Sequence, residues 1–269
     1  MILLTNDDGV KASGLLALTE AVSDLDRIVV FAPRGERSAV SHSVTLDHPL
    51  RVLEIEEDTF AVEGTPTDCV LLALHKFLKE RPRLILSGIN QGPNLGGDVF
   101  YSGTVAGAFE GAMAEIPSIA ISLVETSDVE RPYDFGFSAF FTRQIVERIL
   151  KISPPPDTLL NVNIPNLKGE EIRGVRVTRL GKRVYPDVIT ERTDPRGKSY
   201  YWIGGNKPIW THPDRESLGN GTDIAAIRDG CVSITPLTLD MTHHPQMEEW
   251  TKIFKDQTLN PKHETLNKS

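Results

Sequence analysis

The chain has 269 residues, 39% of them hydrophobic and 25% charged, which is the composition of an ordinary globular protein. Its formal net charge of -8 argues against nonspecific binding to nucleic acid, but it does not exclude a nucleotide monomer, whose charge a metal ion can offset. The two cysteines form no disulfide framework, and neither a signal peptide nor a membrane-spanning stretch is predicted, so we expect a cytoplasmic protein.

The N-terminal residues combine an apolar run with an acidic loop. Residues 1–4 predict a buried strand that stops at residues 5–9, which include Asp7 and Asp8. Ligands of open parallel α/β sheets bind at the carboxyl ends of the strands, and adjacent carboxylates there suit Mg²⁺ or Mn²⁺. A turn rich in Asp and Asn that holds no metal has the same composition, so this loop alone does not decide between the two.

A second strand follows after one helix. Residues 13–25 have apolar side chains at helical spacing, and residues 28–31 are an apolar run. This β-α-β order predicts the start of a parallel sheet. The polar loop after the second strand contains Ser38 and His42, and we expect short β segments within residues 44–62.

A third strand leads to the most glycine-rich loop of the chain. Thr65, which a proline follows, predicts the N-cap of a helix, and residues 84–86 predict the strand. We expect residues 87–98 to form a loop at the carboxyl end of this strand. Asn90 and Asn94 belong to that loop.

Ser102, Gly103 and Thr104 stand at the start of the next helix, which is rich in small residues and is expected to end at Glu115. The free N–H groups of a helix N-terminus attract anions, so the start of this helix has the properties of a phosphate site. The glycine-rich loop before it is not a Walker A motif, and the GxGxxG fingerprint of dinucleotide-binding proteins is absent. We therefore favour an anion site over an irregular loop.

The rest of the chain predicts further strands and helices and one excursion. Periodicity indicates strands at 117–123, 159–164, 175–180 and 232–237, and helices at 135–152 and 246–254. The composition changes after Gly181, and residues 200–203 predict one strand of a hairpin in the excursion. We interpret His243 and His244 as part of a surface turn.

A right-handed parallel sheet places the loops after its first three strands side by side. Together these loops carry two carboxylates, a hydroxyl and two amide oxygens, from Asp7, Asp8, Ser38, Asn90 and Asn94. Such oxygen ligands suit a hard divalent cation that keeps some of its waters. Zinc is less favoured, because the chain has no HExxH motif and no cysteine cluster.

Ten motifs in the same order resemble a known family, the SurE family of survival proteins, which are metal-dependent phosphatases of nucleoside monophosphates (5′/3′-nucleotidases). The motifs are Asn6-Asp7-Asp8-Gly9, Arg37-Ser38, Gly64-Thr65-Pro66-Thr67-Asp68-Cys69, Ser87-Gly88-Ile89-Asn90, Gly92-Pro93-Asn94-Leu95-Gly96, Tyr101-Ser102-Gly103-Thr104, Asn161-Val162-Asn163-Ile164-Pro165, Val177-Thr178-Arg179-Leu180-Gly181, Thr222-Asp223 and Thr235-Pro236-Leu237. Residues 183–222 carry few of them. His42 is a departure, because the family often has Asn or another small polar residue there.

The resemblance implies an α/β fold with a Rossmann-like three-layer core and a mostly parallel sheet. It also implies a β-hairpin extension and a C-terminal segment that are exchanged between subunits, so we expect a homodimer or homotetramer. We assign residues 1–182 to the catalytic core, to which the 223–240 strand segment returns. Residues 183–222 would form the hairpin extension for oligomerisation, and residues 241–269 the exchanged helix and tail.

The resemblance also implies a metal site. One divalent cation per subunit, Mg²⁺ or Mn²⁺, would be held by Asp7, Asp8, Ser38 and Asn90. The catalytic residues would be Asp7 and Asp8, one of them as general base or as nucleophile. We favour Asp7 as a ligand with a catalytic part and Asp8 mainly as a ligand.

The substrate side of the site follows from the same resemblance. The phosphate would be held by Asn94, Ser102, Gly103 and Thr104. The expected reaction removes phosphate from nucleoside 5′- and 3′-monophosphates, and we expect no stable nucleic-acid partner and no membrane partner. For His42 we favour a solvent-exposed neutral residue over a substrate contact.

Two other classes of function stay open from the sequence. One is a hydrolase of another phosphate substrate, such as polyphosphate or a sugar phosphate. The other is a nucleotide-binding regulator without turnover. Base preference, 5′ against 3′ preference and the physiological metal are not predicted.

Overall fold

The structure is a computed structural model of the chain, and it describes residues 1–126, 132–182, 189–203 and 221–255. The chain divides into two compact units, Met1–Leu237 and Thr238–Ser269. The first unit contains a nine-stranded sheet and a separate two-stranded hairpin. In the ranges that the structure describes, no helix is long and apolar enough to cross a membrane.

The described residues contain strands and helices in an alternating order. The strands are β1 Ile2–Thr5, β2 Ile28–Pro33, β3 Val52–Glu56, β4 Thr59–Val62, β5 Leu84–Gln91, β6 Ser118–Val124, β7 Leu159–Pro165, β8 Val175–Val177, β9 Ile189–Thr193, β10 Ser199–Ile203 and β11 Val232–Leu237. The α-helices are α1 Ser13–Val22, α2 Pro66–Leu72, α3 Gly103–Met113, α4 Phe135–Ile152, α5 Asp223–Arg228 and α6 His244–Phe254. A π-helical segment, Ala73–Phe77, continues α2, and Gly96–Phe100 and Gly169–Glu171 are 3₁₀ turns.

The large sheet has the strand order β3-β4-β2-β1-β5-β6-β7-β11-β8. All neighbours from β4 to β7 pair in parallel, whereas β3 with β4 and β11 with β7 pair antiparallel. This order confirms the predicted mostly parallel sheet. It also places β2, β1 and β5 next to one another, so that their carboxyl ends meet at one edge.

Apolar side chains on the two faces of the sheet build the two halves of the core. Successive residues of a strand point to opposite faces, and β1 shows this directly. Ile2 and Leu4 pack in a cluster with α1 and α4, whereas Leu3 packs in a second cluster with Val70 of α2. The α/β fold with a helix layer on each side of a mostly parallel sheet is therefore confirmed.

The start of α2 follows from its local sequence. Thr65 is the N-cap, and its hydroxyl accepts from the N–H of Asp68, whose carboxylate in turn accepts from the N–H of Thr65. This reciprocal pair is a capping box, and Pro66 occupies the first helical turn without losing a hydrogen bond. The helix start predicted at Thr65 is confirmed.

The largest correction concerns the third predicted strand. β5 continues to Gln91, past the point where the glycines predict a loop, so Asn90 lies on the strand itself. The strand pairs with β6 on both sides of a register shift between Ser87 and Asn90. A smaller correction concerns His244, which belongs to the first turn of α6 and not to a surface turn.

The predicted hairpin is present as β9 and β10, which pair antiparallel and expose all five residues of β10. The other residues of the predicted extension, 183–188 and 204–220, and the predicted tail 256–269 lie outside the described residues. The exchange of these segments between subunits and their boundaries stay predictions.

Candidate functional site

Three polar segments meet at the carboxyl ends of β2, β1 and β5, as the sequence predicts. The loop after β1 is joined to the loop after β2 by the N–H of Arg37, which donates to the carbonyl of Asp7 at 2.7 Å. It is joined to the end of β5 by the N–H of Gln91, which donates to Asp8 Oδ2 at 3.1 Å. The structure thus brings Asp7 and Asp8 together with the segments that carry Ser38 and Asn90.

The Asp7 carboxylate is buried and is bound by the first turn of α3. The N–H of Thr104 donates to Oδ2 at 3.0 Å, and the hydroxyl of Thr104 donates to Oδ1 at 2.5 Å. Burial raises the pKa of Asp7, and the two hydrogen bonds from Thr104 act in the opposite direction. The carboxylate is therefore held in one orientation, with both oxygens engaged.

The Asp8 carboxylate is more exposed than that of Asp7. Burial, and then the charge of Asp7, raises the pKa of Asp8 to about 6. Glu36 is a further negative charge that raises the pKa of both carboxyls. The electrostatic field at this pair is therefore negative and would favour a bound cation.

Ser38 and Asn90 are the two uncharged members of the predicted ligand set. The hydroxyl of Ser38 is exposed and donates to Glu36 Oε1 at 2.8 Å. The side-chain N–H of Asn90 donates to the carbonyl of Gly92 at 2.9 Å, which fixes the plane of the amide. Neither residue carries a charge, so the two aspartates supply the negative charge of the predicted ligand set.

The residues present fit a hard divalent cation. The described residues contain no group of three or more His, Cys, Asp or Glu side chains that could hold a metal, and the predicted set needs only two carboxylates beside a hydroxyl and an amide. A buried oxygen, Asn6 Oδ1, has no hydrogen-bond partner and belongs to the residue next to Asp7. An oxygen-rich, negatively charged site of this kind suits Mg²⁺ or Mn²⁺ better than a softer metal.

The residues predicted to hold phosphate divide into two groups. Ser102 caps α3, with its hydroxyl accepting from the N–H of Val105 at 3.0 Å, and Thr104 binds Asp7. Gly103 lies so close to Asp7 that an added Cβ would be 2.9 Å from Asp7 Oδ2. The structure therefore brings Gly103, Thr104 and the N-terminus of α3 directly to the carboxylate of Asp7.

Asn94 makes its hydrogen bonds into the sheet. Its side-chain N–H donates to Ser122 Oγ at 2.8 Å, and its backbone N–H donates to Asn163 Oδ1 at 3.0 Å. Its carbonyl accepts from the side chains of Asn161 and Asn163. These bonds fix the loop from residue 92 to residue 102, here called the phosphate loop, and the predicted phosphate contact of Asn94 stays a prediction.

The side chains that support this loop enter the sequence analysis only as parts of motifs, with no role assigned to them. Asn161 and Asn163 are two polar residues at alternate positions of the buried strand β7, so both point to one face, and that spacing was a usable signal. Asp223 is fully buried and accepts from the N–H groups of Gly96, Gly181 and Ile224. Burial raises the pKa of Asp223, against the lowering effect of these N–H groups.

His42 is paired with the protein itself. Its Nε2 lies 2.8 Å from Glu110 Oε2 on α3, and its side chain is 34% exposed. The neighbouring Ser41 donates its hydroxyl to the carbonyl of Phe100 and its N–H to the carbonyl of Tyr101. The loop that carries Ser38 is thus attached to the phosphate loop and to α3.

Comparison with known proteins gives one consistent result. Residues 2–187 match the family model described as "Survival protein SurE". A protein named 5′-nucleotidase SurE from Vibrio cholerae is 48% identical over 256 residues, which cover 93% of this chain and 97% of the relative. A protein of the same name from Geobacter sulfurreducens is 46% identical over 246 residues, which cover 91% of this chain and 90% of the relative. The crystal structure of the SurE protein from Aquifex aeolicus superposes with a TM-score of 0.81 at 44% identity, covering 94% of this chain and 99% of that one. The chain belongs to the SurE family.

Proposed function

We propose that this chain is a phosphatase of nucleoside monophosphates that works with a divalent cation. The observation that carries the proposal is the buried Asp7 carboxylate, which lies beside Asp8 and is bound by the N-terminal turn of α3. A negative pair next to a helix N-terminus offers a cation site and an anion site side by side. The relatives named 5′-nucleotidase, at 46% to 48% identity over most of the chain, support the substrate class.

Asp7, Asp8, Ser38 and Asn90 would hold one Mg²⁺ or Mn²⁺ ion per subunit. When bound, the ion polarises the phosphoryl oxygens and lowers the pKa of a water. Asp7 would have the catalytic role, because hydrogen bonds from Thr104 orient both of its carboxylate oxygens. Asp8 would act mainly as a ligand. Its carboxylate accepts one described hydrogen bond, from Gln91, and is therefore freer to rotate than the carboxylate of Asp7.

The phosphate would lie at the start of α3. Backbone N–H groups of a helix N-terminus stabilise negative charge on phosphoryl oxygens, most strongly where the oxygens gain charge in the transition state. Ser102, Gly103 and Thr104 form this turn, and the absence of a side chain at Gly103 allows the turn to approach Asp7 closely. Asn94 would complete the phosphate site from the phosphate loop. The substrates would include both 5′- and 3′-monophosphates.

A phosphate-release panel tests the proposal. The purified chain is incubated with Mg²⁺ or Mn²⁺ and with nucleoside 5′- and 3′-monophosphates, sugar phosphates and polyphosphate. We expect turnover of the nucleoside monophosphates above that of the other substrates. Preferred turnover of a sugar phosphate or polyphosphate would assign another phosphatase activity, and nucleotide binding without phosphate release would assign a regulator.

Assembly and compartment belong to the same proposal. The hairpin exposes Tyr201, Trp202 and Ile203, at 60%, 64% and 84%, in the single chain. Exposed aromatic surface of this kind is typical of an interface, which supports a homodimer or homotetramer. Cys69 and Cys231 are both free and buried, which is compatible with a reducing, cytoplasmic compartment.

A further inference from the structure

A buried carboxylate that is not among the predicted metal ligands holds the phosphate loop. Asp223, the first residue of α5, is 0% exposed, and its Oδ2 accepts from the N–H of Gly96 at 2.7 Å. Its Oδ1 accepts from the N–H groups of Gly181 and Ile224, both at 2.8 Å. The bond to Gly96 joins positions 127 residues apart in the sequence.

Gly96 stands at a critical point of the loop. It has a left-handed backbone, with a φ of 55°, and it begins the 3₁₀ turn Gly96–Phe100, which leads to Ser102 and the start of α3. Asn94, two residues before, is held from the other side by Asn163, which accepts its N–H at 3.0 Å and donates to its carbonyl at 3.0 Å. The loop is thus fixed at two points by side chains of β7 and α5.

We propose that Asp223 and Asn163 are positioning residues that hold the phosphate loop in the geometry that binds the substrate phosphate. The proposal rests on the proposed function, since it concerns the phosphate side of the same site. Neither residue would touch substrate or metal. They act through Gly96 and Asn94, whose backbone amides would otherwise be buried without a partner.

The carboxylate form of Asp223 is needed because it must accept three N–H groups. An asparagine has one acceptor oxygen in the same volume. That oxygen retains the most bonds if it stays with Gly181 and Ile224, which share Oδ1 in the native chain. The amide NH₂ then faces the N–H of Gly96, donor against donor. The Asp223→Asn substitution should therefore release the phosphate loop selectively.

The kinetic consequence differs from that of losing a catalytic group. The loop contact from Asn94, unlike the N–H groups of α3, would hold the phosphate in the ground state and in the transition state alike, so a looser loop weakens both. We expect KM for a nucleoside monophosphate to rise about tenfold in Asp223→Asn, with kcat within about threefold of the native value. Inhibition by inorganic phosphate should weaken by the same factor as KM rises.

Asp229→Asn is the matched control. Asp229 follows α5, and the same change of charge there affects ion pairs at the protein surface, with Arg176 at 2.7 Å and with Arg228 at 3.7 Å. Exposed pairs of this kind contribute little to stability. KM and phosphate inhibition should be native in this control, and Mn²⁺ affinity should be native in both variants, because Asp7 and Asp8 are intact.

Amide hydrogen exchange measures local opening of the phosphate loop and does not depend on enzyme activity. In Asp223→Asn the N–H of Gly96 should exchange at least about tenfold faster, because its acceptor is lost. The N–H of Ile85, which lies outside the loop and donates to the carbonyl of Pro117 at 3.0 Å, serves as the internal reference. This readout separates the two proposals: a native chain that releases no phosphate contradicts the proposed function, whereas the exchange of Gly96 still tests the role of Asp223.

Asn163→Ala is the second variant, and it tests the proposed positioning role by itself if Asp223→Asn does not fold. The expected result is the same rise in KM and in the inhibition constant of phosphate. A folded variant with native KM and native phosphate inhibition would overturn the proposal. So would an equal loss of kcat, metal affinity and stability, or a failure of both variants to fold, since each would show that these residues support the fold as a whole.

Discussion

Thr104 donates both its backbone N–H and its hydroxyl to the carboxylate of Asp7, and so joins the end of β1 to the start of α3. This pair couples the predicted metal ligand to the helix that is predicted to bind phosphate. A change at either residue should therefore affect both halves of the site. The contact also explains why a glycine, Gly103, precedes Thr104, because a side chain there would meet Asp7.

The substitution Asp7→Asn should abolish most of the phosphatase activity. It removes one of two negative charges from the proposed cation site and leaves an amide where the proposed catalytic carboxylate stood. We expect kcat to fall by about a hundredfold or more with Mg²⁺ or Mn²⁺ present. Phosphate release is the measurement, and a native thermal unfolding curve is the control for folding. Retention of metal-dependent activity would exclude a catalytic Asp7.

The substitution Gly103→Ala should reduce activity while the fold survives. Alanine favours helices, but its Cβ would lie 2.9 Å from Asp7 Cβ and Oδ2 and displace that carboxylate. A displacement of this size at a reacting group lowers kcat by about ten- to a hundredfold.

Gly97→Ala is the control for that substitution, because an added Cβ at Gly97 meets no atom within 4 Å. Its kcat should be native. Both variants are measured with the same nucleoside monophosphate. Equal kcat values for the two variants would show that the close approach of α3 to Asp7 has no part in the reaction.

Removal of the divalent cation should abolish turnover and lower stability together. EDTA-treated protein should regain activity when Mg²⁺ or Mn²⁺ is restored. An ion present at a hundred times its dissociation constant stabilises the folded state by about 2.7 kcal/mol, which raises the melting temperature by a few degrees. The Asp8→Asn variant should show a smaller rise. Full activity after EDTA treatment would contradict the metal proposal.

The stability of metal-free protein should fall as the pH rises from about 4 to about 6. The pKa of Asp8 is raised from 3.8 to about 6, and that of Asp7 is also raised, so the folded state binds more protons than the unfolded state in this range. The free energy of unfolding therefore decreases with pH there, by about 1 kcal/mol for the half-exposed Asp8 after allowance for solvent screening.

Urea unfolding of EDTA-treated protein at a series of pH values measures this effect. Asp8→Asn is the control, because it has no carboxyl to titrate at that position, and its curve should be flatter. With saturating Mg²⁺ the native trend should reverse, since the metal binds the deprotonated carboxylates. A metal-free native chain that gains stability between pH 4 and pH 6 would contradict the prediction.

Much of the fold follows from local sequence. The apolar runs at β1 and β2 and the helix spacing of α1 predict a parallel unit, and the capping box at Thr65 predicts the start of α2. These signals can be recognised in the sequence because each depends on residues within a few positions of one another. The glycine-rich stretch after residue 86 misled the prediction, because pairing with β6 extends β5 to Gln91.

The sequence by itself determined the α/β class, the loops that carry polar ligands and the resemblance that gathers them into one site. Only the tertiary structure decided which side chains orient those ligands: Thr104 for Asp7, 97 positions away, and Asp223 for Gly96, 127 positions away. Hydrogen bonds over such separations leave no periodicity in the chain, because their partners are brought together by the order of strands in the sheet. Local motifs therefore predict which residue types the proposed site contains, whereas the hydrogen bonds that orient them are visible only in the tertiary structure.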